Sequence, residues 1–330
     1  PPKALNNLGN HFAASVAEGL EKAQLINGAA EYTAYASPRR LAVQIKNVKA
    51  VQADQKIVKK GPAVANAMKD GAPTKALEGF ARGAGAKIED LTIVHDGKQD
   101  VYAYEYVQTG KPLGELLEDI INQAVKKLPI PKVMRWGSST FTFVRPVHGL
   151  IVLHGGDIVN VSVLGLQSGN QTLGHRFLSS GPITLENADS YARQLREQGH
   201  VEPEYQARRV MIANELAHSS QQNGGILAVN DEEQQQVTAL LDEVAALVEW
   251  PAVYTGQFDP AFLAVPQECL ILSMRTNQRY FPLFETNGKL KNQFLIVSNM
   301  RIDDPSGIID GNERVVRPRL ADAQFFFDQD

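Results

Sequence analysis

RYFPLFETNGKLKNQFLIVS, residues 279–298, sets the fold class. Two apolar runs, near 279–284 and 293–298, flank Asn287-Gly288, a dipeptide that accepts the positive φ angles of a tight hairpin. A helix near 266–274 leads into this hairpin, and a last helix runs from about 312 to the end. Upstream, helices fall near 188–198, 204–222 and 231–249. The third opens on Asp231, Glu232 and Glu233, where the helix dipole favours acids. Its apolar face is Val237, Leu240, Leu241, Val244, Leu247 and Val248, and Pro251 ends it. Strands near 147–154 and 158–164 are joined by Gly155-Gly156, a good two-residue turn. Strands and helices mix without regular βαβ alternation. The class is therefore α+β, with mixed or antiparallel sheets and packed helices.

The first half has its own pattern. Leu5, Leu8, Phe12, Val16 and Leu20 form one helical stripe. Strands near 29–36 and 40–48 follow, with Ser37-Pro38 at the turn. Residues 50–90 are rich in Ala, Gly and Lys, with short helical patterns near 63–69 and 74–82, and read as a small helical insertion. A strand spans 101–107. Leu113, Leu116, Leu117, Ile120, Ile121, Ala124, Val125 and Leu128 mark a strong helix, with Pro112 suited to its first turn. Leu128-Pro129-Ile130-Pro131 reads as a linker. The expected domains are 1–130 and 131–330.

The chain has 330 residues, enough for two or three cores. No apolar run approaches the roughly 18 residues of a membrane span, and no signal peptide is visible. The one cysteine, Cys269, forms no internal disulfide, which fits a reducing cytosol. Net charge is −4, without the basic excess of a dedicated nucleic-acid binder. Its distribution is uneven. Between Arg209 and Arg275 there is no Lys or Arg, whereas 131–176 carries Lys132, Arg135, Arg145 and Arg176 against Asp157 alone. A phosphate backbone would favour the second region; a charge asymmetry without function is the other reading. Pro1-Pro2 opens directly onto a helix, and Phe325, Phe326 and Phe327 cannot share one helical face. At least one of these three is expected to pack on something absent, a further domain or another subunit.

A search for chemistry returns little. Each Gly-Lys pair lacks the Ser or Thr of a phosphate loop, and no G-x-S-x-G elbow occurs. The histidines show no HExxH or Cys/His cluster, so no metal site is assigned. Tyr102, Tyr104 and Tyr106 line one face of a strand. Such a row can stack RNA bases, but the helix over 113–128 needs a surface, and a half-buried face beneath it is favoured. Gly174-His175-Arg176-Phe177 either binds phosphate or a base, or forms a structural corner. Arg314, Arg317 and Arg319 either pair with acids in the fold or hold phosphate. Pro318 kinks the last helix or marks its true start.

Seven words recur together at this order and approximate spacing in one family: SPRRLAV (37–43), KKGPA (59–63), PKVMRWGSSTFTFVRPVHGL (131–150), GHRF (174–177), LVEWPAV (247–253), YFPLF (280–284) and NERVVRPRLADAQFFF (312–327). On these the chain resembles the beta subunit of bacterial glycyl-tRNA synthetase, nearly end to end. The resemblance implies a cytoplasmic, non-catalytic subunit that supports binding of glycine tRNA. A partner alpha subunit would carry the class II catalytic core, using ATP and Mg, in an alpha2beta2 assembly. It implies a B3/B4-like module in the second half, and HD-like and anticodon-binding domains beyond residue 330. No catalytic residue and no bound cofactor are assigned to this chain. The RNA-contact candidates are Lys132, Arg135, Arg145, His148, His175, Arg176, Arg314, Arg317 and Arg319. The rival readings are an editing hydrolase using His148, His175 and Asp157, and a pure assembly scaffold.

Overall fold

A computed structural model of the chain describes residues 2–138 and 140–329. Helix α1 (Leu5–Lys22) precedes strands β1 (Tyr32–Ser37) and β2 (Arg40–Ile45). Next come β3 (Gln55–Ala63), the short helix α2 (Val64–Ala67), β4 (Met68–Lys69), β5 (Ala72–Pro73), helix α3 (Lys75–Gly83), β6 (Thr92–His95), β7 (Asp100–Gln108) and helix α4 (Leu113–Lys126). Short strands then run from β8 (Met134–Arg135) through β9 (Thr142–Phe143), β10 (Leu153–His154), β11 (Asp157–Ile158), β12 (Ser162–Val163), β13 (Leu166–Gln167) and β14 (Gln171–Leu173) to β15 (Pro182–Thr184). Helices α5 (Tyr191–Glu197), α6 (Tyr205–Gln222) and α7 (Asp231–Ala245) follow. The chain continues as β16 (Ala252–Gln257), α8 (Gln267–Leu272), β17 (Phe281–Phe284), β18 (Leu290–Ser298) and α9 (Ser306–Gln329).

The chain forms two compact units whose limits fall elsewhere than at residue 130. One comprises 1–19, 29–46 and 118–330; the other, 20–28 and 47–117. The larger unit is built on the antiparallel sheet β16-β18-β17. Its hairpin turns at Asn287-Gly288, where Gly288 has φ of 89° and Glu285 N–H donates to Lys289 O. Alternation along β18 sends successive side chains to opposite faces. Leu295, with Phe281 and Leu283, packs on Ile212 and Leu216 of α6 and on Val237, Leu240, Leu241 and Val244 of α7. Phe294 and Ile296 join Leu270, Met274, Val316 and Leu320 on the other side. A Cβ at Gly256 would sit 2.5 Å from the Phe294 ring, so β16 is glycine where that ring crosses it. Strand β16 is absent from the sequence reading, which ended a helix at Pro251; Gly256 weakens its local strand signal.

Helix α7 starts as expected, with Asn230 Oδ1 accepting from Glu233 N–H at 2.9 Å. Helix α9 starts earlier than expected, at Ser306, whose N–H donates to Asp304 Oδ1 in the turn that leads into it. Pro318 therefore lies inside the helix, with Val316 and Leu320 buried on either side of it in sequence. The Gly155-Gly156 turn forms, pairing Leu153 with Ile158 and His154 with Asp157, but its strands are much shorter than expected.

In the smaller unit β7 is the central strand of an antiparallel sheet, β3-β7-β6. Residues 50–90 are thus not a purely helical insertion: Gln55–Ala63 is a nine-residue strand. Its lysines hide the strand locally, and pairing with β7 supplies what propensity does not. Helices α2 and α3 lie against this sheet, with Ala67, Leu77, Ala81, Val101 and Ala103 buried. Thr74 caps α3 by accepting from Leu77 N–H. Tyr102, Tyr104 and Tyr106 occupy the alternate positions of β7 and are half-buried. Tyr104 and Tyr106 stack at 5.6 Å, and Lys59 Nζ lies 5.6 Å from the Tyr106 centroid.

Candidate nucleic-acid interface

A buried polar network in the larger unit joins three of the sequence words. The β1–β2 hairpin delivers Ser37 Oγ to Glu249 Oε1, donating at 2.7 Å, and Arg40 Nε to 3.5 Å from the same carboxylate. The Arg40 terminal nitrogens both donate to Leu173 O, at 3.1 and 3.0 Å. Glu249 is held in turn by its main chain: Asn299 Oδ1 accepts from Glu249 N–H and Trp250 N–H, at 2.7 and 3.1 Å. The Asn299 carbonyl then meets His175 Nε2 at 2.6 Å. SPRRLAV, LVEWPAV and GHRF are therefore parts of one scaffold rather than three separate sites.

Within GHRF the roles divide. His175 is 1% exposed. Its Nδ1 accepts from Phe177 N–H and Leu178 N–H, at 3.1 and 3.2 Å, so Nε2 carries the proton donated to Asn299 O. A Cβ at Gly174 would lie 2.6 Å from Gly199 Cα, and His175 N–H donates to Gly199 O. The imidazole is thus spent inside a structural corner, a correction to its place among the RNA-facing candidates. The next two residues leave the fold: Arg176 is exposed, Phe177 is 71% exposed, and the guanidinium lies 5.6 Å from the ring centroid.

The remaining candidates are all at the surface. Arg135 lies on β8, paired with Thr142 of β9. Lys132, Arg145 and His148 are exposed around that pair. Arg314, Arg317 and Arg319 are exposed on α9, which buries Val316 and Leu320. Among the described residues none of these cations makes an ion pair. Other arginines do: Arg196 with Glu202, Arg209 with Asp242, Arg275 with Glu233, Arg279 with Glu243, and Arg301 with Glu215. Four acids of the stretch between Arg209 and Arg275, namely Glu215, Glu233, Asp242 and Glu243, are thereby paired. The free cations of 131–148, Arg176 and α9 are left facing solvent. Among the described residues no hydrogen bond or ion pair joins these three groups to one another.

Sequence reasoning missed two residues of the scaffold, Asn299 and Arg208. Arg208 is fully buried and donates to three carbonyls: Ala245 at 3.1 Å, Glu202 at 2.8 Å and Ala36 at 2.7 Å. Burial lowers its pKa to about 10, with Glu249 and Glu202 opposing that shift. Among the described residues no hydrogen bond joins any two members of the editing set. His175 is buried in its corner, and His148 and Asp157 are exposed without a hydrogen bond between them among the described residues. Among those residues there is also no group of three or more metal-ligating side chains, and no helix long and apolar enough to cross a membrane.

The larger unit is thus an α+β scaffold that carries exposed cations without ion pairs among the described residues. Comparison with known sequences is more particular. The family described as glycyl-tRNA synthetase beta subunit matches residues 1–330. The glycine–tRNA ligase beta subunit of Neisseria meningitidis serogroup C (strain 053442) is 76% identical over 330 residues, covering all of this chain and 47% of that protein. Those of Neisseria gonorrhoeae (strain NCCP11945) and Aromatoleum aromaticum are 74% and 48% identical, again over all of this chain and 47% of each relative. The chain belongs to the glycyl-tRNA synthetase beta subunit family and spans about half the length of these relatives.

Proposed function

We propose that this chain is the part of a glycine–tRNA ligase beta subunit that binds and orients glycine tRNA and assembles with a catalytic alpha subunit. The alpha subunit would use ATP and Mg in a cytoplasmic alpha2beta2 enzyme. The observation that carries the reading is the set of exposed cations that make no ion pair among the described residues: Lys132, Arg135, Arg145, Arg176, Arg314, Arg317 and Arg319. Each is free to neutralise a phosphate at no cost in broken ion pairs. Arg176 beside Phe177 adds a planar cation and an exposed ring, a combination suited to stacking on an unpaired base. Orientation of a bound substrate supplies up to several kcal/mol of rate enhancement without chemistry in the orienting chain.

Phe325, Phe326 and Phe327 serve a second role in this reading. Val316, Leu320, Ala323 and Phe327 follow one helical stripe, the first two buried and Phe327 47% exposed. The stripe outruns its core, and we assign its end to packing against the portion that relatives carry beyond this match.

The test is the salt dependence of glycine-tRNA binding by the full-length protein with Arg145→Glu and Arg176→Glu. Each phosphate that is no longer neutralised should flatten the slope of log K against log salt by roughly 0.7–0.9. Unchanged slopes and affinities in both variants would sink the cationic-surface reading.

A further inference from the structure

The hairpin β1–β2 has one bonded edge and one open edge. Its register pairs Ser37 with Arg40 across a two-residue turn. In an antiparallel ladder alternate residues exchange hydrogen bonds. Ser37, Tyr35 and Thr33 therefore bond to β2, while Ala36, Ala34 and Tyr32 direct their N–H and C=O groups away from it. Two independent contacts fix this parity. Ala36 N–H donates to Pro203 O at 3.0 Å, and Ala36 O accepts from Arg208 at 2.7 Å. On the other parity, Lys46 N–H donates to Glu31 O. Beyond Ala36 the edge is unpaired: the outward groups of Ala34 and Tyr32 have no partner among the described residues.

That open edge lines a cleft of about 310 Å³, walled by α1 and by the first residues of α6. Gly9 lets α1 approach closely, since a Cβ there would sit 2.7 Å from Ala36 Cβ. Asn6 and Asn10, one turn apart on α1, line the cleft, and the half-buried Glu204 lines it from the α6 end. Glu204 has no ion pair among the described residues, although Glu202 beside it is paired with Arg196. No Lys or Arg lines the cleft.

We propose that this cleft takes an extended segment of a second polypeptide, added as a strand to the Tyr32–Ala34 edge with a Lys or Arg side chain against Glu204. The occupant is assigned to the catalytic partner subunit and so rests on the reading above. Open strand edges recruit peptide main chain. Asn6 and Asn10 extend the amide chemistry to the far side of the added strand. Arg196 lies within electrostatic range of Glu204 but is bonded bidentately to Glu202, so the Glu204 carboxylate keeps room for a basic side chain and disfavours RNA phosphate at this cleft. The edge lies in a cleft, so a single strand fits it better than the edge of another copy's sheet.

The experiment is amide hydrogen exchange on the full-length beta chain, alone, with purified cognate alpha subunit, and with glycine tRNA. In the chain alone, Tyr32 and Ala34 amides should exchange fast, and Thr33 and Tyr35, bonded to β2, slowly. Alpha subunit should slow Tyr32 and Ala34 by about tenfold or more. Ala34→Pro removes an outward N–H without touching the β1–β2 ladder, and Glu204→Gln removes the charge without altering the strand. Each should weaken association with the alpha subunit by about fivefold to tenfold, an effect on the order of one lost hydrogen bond. Should Ala34→Pro unfold the hairpin, Glu204→Gln and the unmodified chain still decide the matter. The proposal is overturned if these amides are already protected in the chain alone, which would mean that the chain's own remainder fills the cleft. It is likewise overturned if only tRNA protects them, or if a complex that charges glycine leaves both unprotected. No charging by the unmodified pair would instead refute the synthetase reading, and this assignment would fall with it.

Discussion

Replacing Arg208 with Met is the most informative perturbation of the scaffold. The substitution keeps an unbranched side chain in the space but leaves the carbonyls of Ala245, Glu202 and Ala36 without their donors. Each unsatisfied buried acceptor costs about 1–3 kcal/mol. Against this, the variant no longer buries a guanidinium, whose desolvation already lowers its pKa to about 10. Three such acceptors outweigh that relief, and we expect a net loss of about 2–5 kcal/mol for Arg208→Met. Arg208→Lys should fall between, because one ammonium cannot span three carbonyls held by a planar fork. The assay is urea denaturation followed by tryptophan fluorescence, since Trp250 adjoins Glu249 and its N–H donates to Asn299. The midpoint should drop with an unchanged slope. A loss below about 1 kcal/mol for Arg208→Met would refute the reasoning, showing that water or relaxation satisfies the three carbonyls.

Other consequences are as direct. Phe294→Ala should cost about 3–5 kcal/mol in the same assay, since the ring is fully buried between Tyr280 and Gly256. His175→Ala should lower thermal stability by removing the acceptor of two amides, whereas Arg176→Ala should leave stability unchanged and weaken tRNA binding, separable by calorimetry and a binding titration. Tyr280, donating to Asn312 at 2.6 Å, has its pKa raised to about 12 by burial. The unfolded phenol ionises near 10 and the folded one later, so the folded form binds more protons between those values and stability falls as pH rises through 10 to 12. Tyr280→Phe should remove that part of the alkaline loss, measured as the difference in urea midpoint between about pH 9 and pH 11.

Legibility in the sequence followed the range of the forces involved. The β17–β18 hairpin and α7 were readable because an Asn-Gly turn and an acidic first turn act locally. Strands β3 and β16 were not, because their identity comes from pairing with β7 and β18 across many residues. The adjacent arginines 208 and 209 look alike in sequence. One is fully buried among three carbonyls, and the other makes a part-exposed pair with Asp242. Only the arrival of Ala36, Glu202 and Ala245 decides between them. GHRF was visible as a cluster, but the division between a structural His175 and an outward Arg176 depends on Asn299, more than a hundred residues away. The free cations of 131–148 and α9 were nameable from composition. That they make no ion pair among the described residues was not, since pairing is a property of the folded surface.

The role proposed for this chain is tRNA handling for a glycine ligase. Its most direct test is glycine charging by the cognate alpha subunit, supplemented with the full-length beta protein or with its Arg145→Glu/Arg176→Glu variant. The account predicts full charging with the first. With the variant it predicts a several-fold higher KM for tRNA, and little change in kcat at saturating tRNA and low salt. Identical KM values for the two proteins, or no charging with either when the alpha subunit is verified active, would contradict it.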